Sequence, residues 1–395
     1  VVAFARRALR ATELVTQLRV SYLPGAFLPQ LGLRAMLLIL GKHRLASALI
    51  AGAPTQTSRG NEVLEHLAGL VRNDVALARA FAGLSPRELL EQLSVEPEFA
   101  AFGKEFDDFL AEYGHRETVS LVLSSSPTWI DAPAVVLGLV KMLLVEPPAT
   151  TNQTGEALES LLRHRALRGR RLRTWALGSV EAARRGMGFR EDSHFYVTMA
   201  LPPLRRALLE LGARLCSAGV LDEAHAVFHL RFEELASIDG AASLAPGEAA
   251  RWHGIVRARS AKREELAGVP LLDLDAAFAP RAPEGNALLR GTPASRGTAT
   301  GTVRVIRGPE GFGELRAGEI LVCPYTNPSW TPLFQRAAAV VVDTGGLGSH
   351  TAIVARDYGI PAVMGTRTGT KVLADGDRVT VDGGTGRITA AGEGP

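Results

Sequence analysis

From residue 1 to about residue 265, apolar positions recur three or four residues apart, as in Leu158, Leu161 and Leu162 or Leu204, Leu208, Leu211 and Leu215. That spacing lines one face of a helix and predicts an α-helical domain. Clusters of Pro, Gly and Ser interrupt it at "YLPGAF", "LSSSPTWIDAP", "VEPPATTNQTGE" and "RRGMGFREDS". These predict loops between helices. "SPRELLEQL" sets Ser85 ahead of Pro86 at the first helical position, with Glu88 in the first turn, and so predicts a helix start. "DSHFYVTMALPPLRRALLELGARLCSAGVLD" reads as a long helix disturbed at Pro202 and Pro203 and stopped at Gly219.

The pattern changes after residues 266–289, "AGVPLLDLDAAFAPRAPEGNALLR", which mix proline, acid and alanine without a period and read as a linker. Short β-rich runs between glycines follow: "GTVRVI", "EILVCP", "AAAVVVD", "IPAVMG", "DRVTVDG" and "GRITA". Only "SWTPLFQRA" and "HTAIVARDYG" have helical character here. A second, α/β domain is expected over 290–395.

Composition narrows the class. The apolar share is 46%, aromatics are 6%, and the formal charge is +3 over 395 residues. A small net charge gives no ground for a nucleic-acid partner. The arginine run "RHRALRGRRLRTW" at 163–175 has acids nearby and few interleaved aromatics, so it reads as a solvated helix face. Cys216 and Cys323 are the only cysteines, which favours a reducing compartment and a cytoplasmic location. The apolar run "AMLLILGKHRLASALIAG" is broken by Lys42, His43 and Arg44, so no membrane span is expected. The chain opens "VVAFARRALRATELV" without a methionine or a secretory signal, consistent with a start inside a longer polypeptide or a removed tag.

The sharpest feature is "DTGGLGSHTAIVARDYGIPAV", residues 343–363. A buried-strand run from Ala337 to Val342 passes through a glycine-rich turn into a helix that ends at Gly359, which places His350 at the helix N-terminus. Unpaired amides and the helix dipole favour an anion there. A histidine is mostly neutral near pH 7 and can act as a nucleophile. Gly345, Gly346 and Gly348 give a phosphate room to approach the backbone. Thr344, Ser349 and Thr351 are candidate hydroxyl donors, although Ser349 also suits a helix cap. Without further information, capping or packing is the commoner role for such a histidine.

From Gly291 to the C-terminus the chain resembles the phosphohistidine swivelling domain, the mobile domain of phosphoenolpyruvate-utilising enzymes. "GTPASRGTATGTVRVI", "GEILVCPYTNPSWTPLFQRAAAVVVDTGGLGSHTAIVARDYGIPAVMGT" and "LADGDRVTVDGGTGRI" stand in the family's order. The resemblance implies that His350 carries a phosphoryl group, with Asn327 and Trp330 of "YTNPSWTP" beside it. It also implies a mobile domain that travels between an ATP-grasp domain, where ATP and Mg²⁺ are bound, and an acceptor site. Within this chain there is no GxxxxGK[ST] loop and no stretch suited to an ATP-grasp domain, so no cofactor is expected on these residues.

The helical part resembles, more loosely, the acceptor domain of rifampicin phosphotransferase and its phosphoenolpyruvate-synthase-like relatives. The resemblance rests on "LIAGAPTQTSRGNEVLEHLAGLVR", "FLAEYGHRETVSLVLSSSPTWID" and the segment from "REDSHFYV" to "RFEEL". It implies a drug-like or natural-product acceptor, with His115, Arg116 and Arg190 in binding or supporting roles. After the Gly-His-Arg triplet relatives tend to carry acids, whereas here Ser120 and Val122 hold the nearest places and Glu117 is the only acid. Each candidate also has a structural reading: His115 as a helix C-cap, Arg190 and Glu191 as an ion pair. His225 and His229 have the i, i+4 spacing of metal ligands but lack further ligands. The expected function is phosphoryl transfer from His350 to a small-molecule hydroxyl, charged by an ATP-grasp partner. The alternatives are an ATP-independent lyase or cyclase using His350 as acid or base, and a non-catalytic ligand-binding protein.

Overall fold

The computed structural model describes residues 1–50, 53–116, 125–145, 153–238, 246–266, 287–346 and 349–392. Val2–Ile39 forms one helix of 38 residues with Pro24 and Pro29 inside it, so the loop expected at "YLPGAF" is absent. It lies along Arg170–Thr198, a 29-residue helix that likewise runs through "RRGMGFREDS". The glycines there serve contact rather than a turn. A Cβ on Gly186 would stand 2.2 Å from the Ala26 carbonyl oxygen, so the two helices meet backbone to backbone. Among the described residues, Val2–Ile39 is the helix long and apolar enough to cross a membrane by length and composition alone. Its inner face, with Ala26, Leu33, Met36 and Leu37, is buried within the protein.

Other helix signals appear as read. Ser85 and Glu88 cap Pro86–Val95 reciprocally, with Pro86 in the first turn. The long helix breaks at Met199 and Ala200 and restarts as Leu201–Ser217, with both prolines in the first turn, where missing amides cost no hydrogen bond. Gly219 leaves it at φ +70°. Leu204, Leu208, Leu211 and Leu215 pack in one apolar cluster with Val220, Leu221 and Leu235.

The second domain is built on eight strands: β1 (Ala287–Arg290), β2 (Thr292–Ser295), β3 (Thr298–Val305), β4 (Ile320–Cys323), β5 (Ala339–Val342), β6 (Ala362–Met364), β7 (Arg378–Asp382) and β8 (Arg387–Ala390). Their order is β1-β8-β7-β3-β4-β5-β6-β2, with β3 to β6 parallel and the remaining pairs antiparallel. β1 and β2 were not read as strands. β1 falls at the end of the expected linker but pairs with β8, so the sheet begins at Ala287. Residues 267–286 of that linker lie outside the described residues. The protein is thus multidomain, helical first and sheet-based afterwards.

The two domains share one apolar cluster. It joins Leu64, Phe109, Trp129 and Val140 to Phe312, Trp330, Phe334 and Ala352. Helix Pro133–Val145 packs against the turn Pro309–Glu314, and the Arg336 guanidinium donates to the Met142 carbonyl.

Candidate active site

Four buried residues of β5, Ala339 to Val342, carry the chain into the turn ahead of His350. Asp343 fixes the exit. Its carboxylate accepts from the Thr366 hydroxyl at 3.0 Å and from the Thr370 hydroxyl at 2.5 Å. Gly345 then turns at φ +94°, and a Cβ there would meet the Met364 methyl at 2.9 Å. Helix His350–Tyr358 begins with Ser349 as cap, its Oγ accepting from the Ala352 amide at 3.4 Å, and ends at Gly359 with φ +68°.

His350 is held from both sides. Thr326 Oγ1 stands 3.3 Å from Nδ1 and 2.5 Å from Thr351 Oγ1. Phe334 lies edge-on at 6.3 Å. The residue as a whole keeps partial exposure, yet Nε2 is shielded from solvent and has no hydrogen-bond partner among the described residues. Burial pulls the ring's pKa down to about 3, helped by His194, Arg190 and Arg116 of the helical domain. The ring is therefore neutral across the physiological range. For Nε2 to keep its lone pair, Nδ1 carries the proton; Thr326 then accepts from it and donates onward to Thr351.

The other sequence candidates divide. Thr344 donates its hydroxyl to the Pro324 carbonyl at 2.8 Å. Ser349 is the helix cap. Thr351 joins the Thr326–His350 chain, and Gly346 leaves open space beside the turn, where no atom would meet an added Cβ within 4 Å. Gly348 and Glu117 lie outside the described residues. Asn327 accepts from the Ser329 amide at 3.0 Å and hydroxyl at 2.6 Å, which shapes the loop. Trp330 is fully buried and edge-on to Phe312 at 4.8 Å, within the apolar cluster that the two domains share. His115 contacts the Phe195 carbonyl through Nε2 at 3.1 Å and packs on that ring. Arg116, 3% exposed, lies over Trp129 at 5.3 Å with its charge felt at His350. Arg190 projects from Arg170–Thr198, 3.9 Å from Glu191.

Sequence reasoning missed Thr326 and His194. Thr326 adjoins the Asn327 that was singled out, and His194 stands one helical turn beyond Arg190, so both lay within flagged segments. His225 contacts the Ser125 carbonyl at 3.2 Å, and among the described residues no group of three His, Cys, Asp or Glu side chains is assembled around it. The arginine run at 163–175 is mostly exposed, as a solvated face should be.

Comparison with known proteins decides the domain. Residues 315–386 match the family described as PEP-utilising enzyme, mobile domain. The chain carries a PEP-utilising mobile domain. Residues 21–191 match the rifampicin phosphotransferase fourth domain, so the mobile domain is joined to a helical partner of that kind. An uncharacterized phosphotransferase, YvkC, of Bacillus subtilis is 32% identical over 81% of this chain and 40% of its own. A rifampicin phosphotransferase of Streptomyces sviceus is 30% identical over 88% of this chain and 41% of its own. The phosphoenolpyruvate synthase of Aeropyrum pernix is 49% identical over 109 residues, 27% of this chain and 13% of its own. The chain thus spans about two fifths of the first relatives it matches.

Proposed function

We propose that this chain is the acceptor-side and phosphohistidine portion of a phosphotransferase, in which His350 takes up a phosphoryl group and passes it to a hydroxyl of a small molecule. The observation that carries this reading is the buried Nε2 of a neutral His350, without a hydrogen-bond partner among the described residues and within the electrostatic reach of Arg116, Arg190 and His194 of the helical domain. A phosphoryl group on Nε2 brings negative charge into a cationic setting at a helix N-terminus, where it is stabilised. The membership of the mobile domain and the names of the relatives support the same chemistry.

Transfer breaks the N–P bond and forms an O–P bond while the acceptor hydroxyl loses its proton. Glu191, beside Arg190, is the carboxylate we assign to receive it. Arg190 and Arg116 balance the charge of the transferring group. ATP and Mg²⁺ would belong to an ATP-grasp module, supplied by further sequence or another polypeptide, and charge His350 there. For the acceptor we assign the cavity of about 700 Å³ in which apolar Leu49, Leu158, Leu177, Val180 and Phe189 are interleaved with the charged Glu181, Arg184, Arg185 and Asp192, a mixed wall that suits a molecule carrying both apolar and polar groups. In the Streptomyces relative the named acceptor is rifampicin.

A lyase or cyclase using His350 as acid is disfavoured, since a ring whose pKa is held down to about 3 carries no imidazolium proton at neutral pH, and the Nδ1 proton it keeps is far less acidic and engaged with Thr326. The test is to treat the chain with phosphoramidate, a chemical phosphoryl donor to histidine, and measure intact mass. One added phosphoryl group, acid-labile and lost in His350→Ala, is expected. No addition, or an equal addition in His350→Ala, would overturn the phosphocarrier reading.

A further inference from the structure

A second cleft opens between the domains at the opposite end of the His350 helix. Its volume is about 720 Å³, well above what one phosphate fills and within the range of small-molecule sites. One wall carries Arg34 and Leu38 of Val2–Ile39 with His43; the other carries Pro293 and Arg296 around β2 with Arg356 and Gly359 of the His350 helix. Three arginines and a histidine line it, and no acidic residue does among the described residues. The carboxylate of nearby Asp382 is turned into its own loop, accepting from the Gly384 and Thr385 amides and the Thr385 hydroxyl. Arg34 and Arg296 make no ion pair with any described residue. Arg356 is positioned by its Nε, which donates to the Ala294 carbonyl at 2.7 Å.

Arg34 and Arg296, one on each wall and in no ion pair among the described residues, repel one another across the cleft until an anion arrives. Because the cations come from both domains, an anion bound between them stabilises the docked arrangement over any separated one by its difference in affinity. We propose that this cleft binds an organic phosphate with two or more negative charges, its phosphates on Arg34, Arg296 and Arg356 and its organic part against Leu38 and Pro293, and that occupancy holds the sheet domain on the helical domain.

The probe is inorganic pyrophosphate, titrated calorimetrically at low salt into the whole chain. Arg34 and Arg296 are exposed, so their replacement by glutamine leaves the fold intact. Each single variant, one per wall, is expected to weaken pyrophosphate binding about three-fold and the double variant roughly ten-fold. His350→Ala, which empties the site proposed above, is expected to leave it unchanged. Undiminished binding in the double variant, an effect confined to one wall, or loss in His350→Ala alone would each overturn the proposal, the last by placing the anion at His350. Because the two sites are altered separately, failure here leaves the phosphohistidine reading standing.

Discussion

At the scale of single residues, the ring of His350 is governed by what surrounds each nitrogen. Thr326 holds Nδ1, while burial and three cationic or titratable neighbours keep Nε2 bare. Removing the hydroxyl in Thr326→Val frees the tautomer, and we expect phosphorylation by phosphoramidate to slow about ten-fold, the worth of one hydrogen bond near 1.4 kcal/mol. A merely structural Thr326 would leave the ring's ¹⁵N shifts unmoved, so those shifts are the accompanying readout. The pH dependence has a definite sign. The ordinary value is 6.5 and the folded value about 3, so the unfolded or separated chain binds the proton that the docked ring refuses. The contribution is complete above about pH 6.5 and is lost progressively as pH falls toward 3. His350→Gln should flatten that part of the stability–pH curve, as urea unfolding at pH 7 and pH 5 would measure.

Among the elements, the closest contact is between the two long helices. Gly186 meets the Ala26 carbonyl with no room for a methyl group, so Gly186→Ala forces the helices apart and is expected to destabilise the protein by about 1–3 kcal/mol, read as a lower urea midpoint with unchanged slope. Gly186 also shows why the sequence misled at this level. Gly, Met and Gly in "RRGMGF" look the same whether they mark a turn or a helix crossing, and only the partner distinguishes the cases. The same holds for Pro24 and Pro29, which sit inside a helix because packing along Arg170–Thr198 outweighs local preference. Where the signal is local, it was legible: Ser85 with Glu88, Gly359 after a periodic run, the β-branched runs of β4 and β5. The turn ahead of His350 was equally readable, because strand, glycines and helix start are contiguous in sequence. The groups whose charge acts on it were not, since Arg116, Arg190 and His194 come near His350 only through the docking of separate domains. A further check at this scale is Glu234, whose carboxyl is pulled down to about 2 chiefly by its hydrogen bonds with Arg259. That pairing contributes fully above its ordinary 4.5 and is lost progressively as pH falls through 2, so Arg259→Gln should lower stability at pH 7 and make a much smaller difference at pH 2.

For the molecule as a whole, the shared cluster matters most. Trp330 is fully buried between Phe312 and Tyr325, in the cluster that also holds Trp129 and Val140 of the helical domain. Helical and sheet domains should therefore melt together, and calorimetry should give one transition with equal van't Hoff and calorimetric enthalpies. Trp330→Ala, which empties a large buried volume, should cost about 3–5 kcal/mol and split that transition in two.

The shared core also sets a rhythm. Under the phosphoryl transfer proposed above, a carrier whose resting surface is continuous with the interior of its host would not leave by sliding; it would have to wet Phe312, Leu333 and Phe334 or find another apolar face at once. Arrival is then fast and departure slow, so the cycle's clock would be the dwell time of the loaded domain at the acceptor. An enzyme timed in that way holds its reactive group out of water for most of each turnover, which gives a scarce acceptor time to arrive before the phosphoryl group is lost.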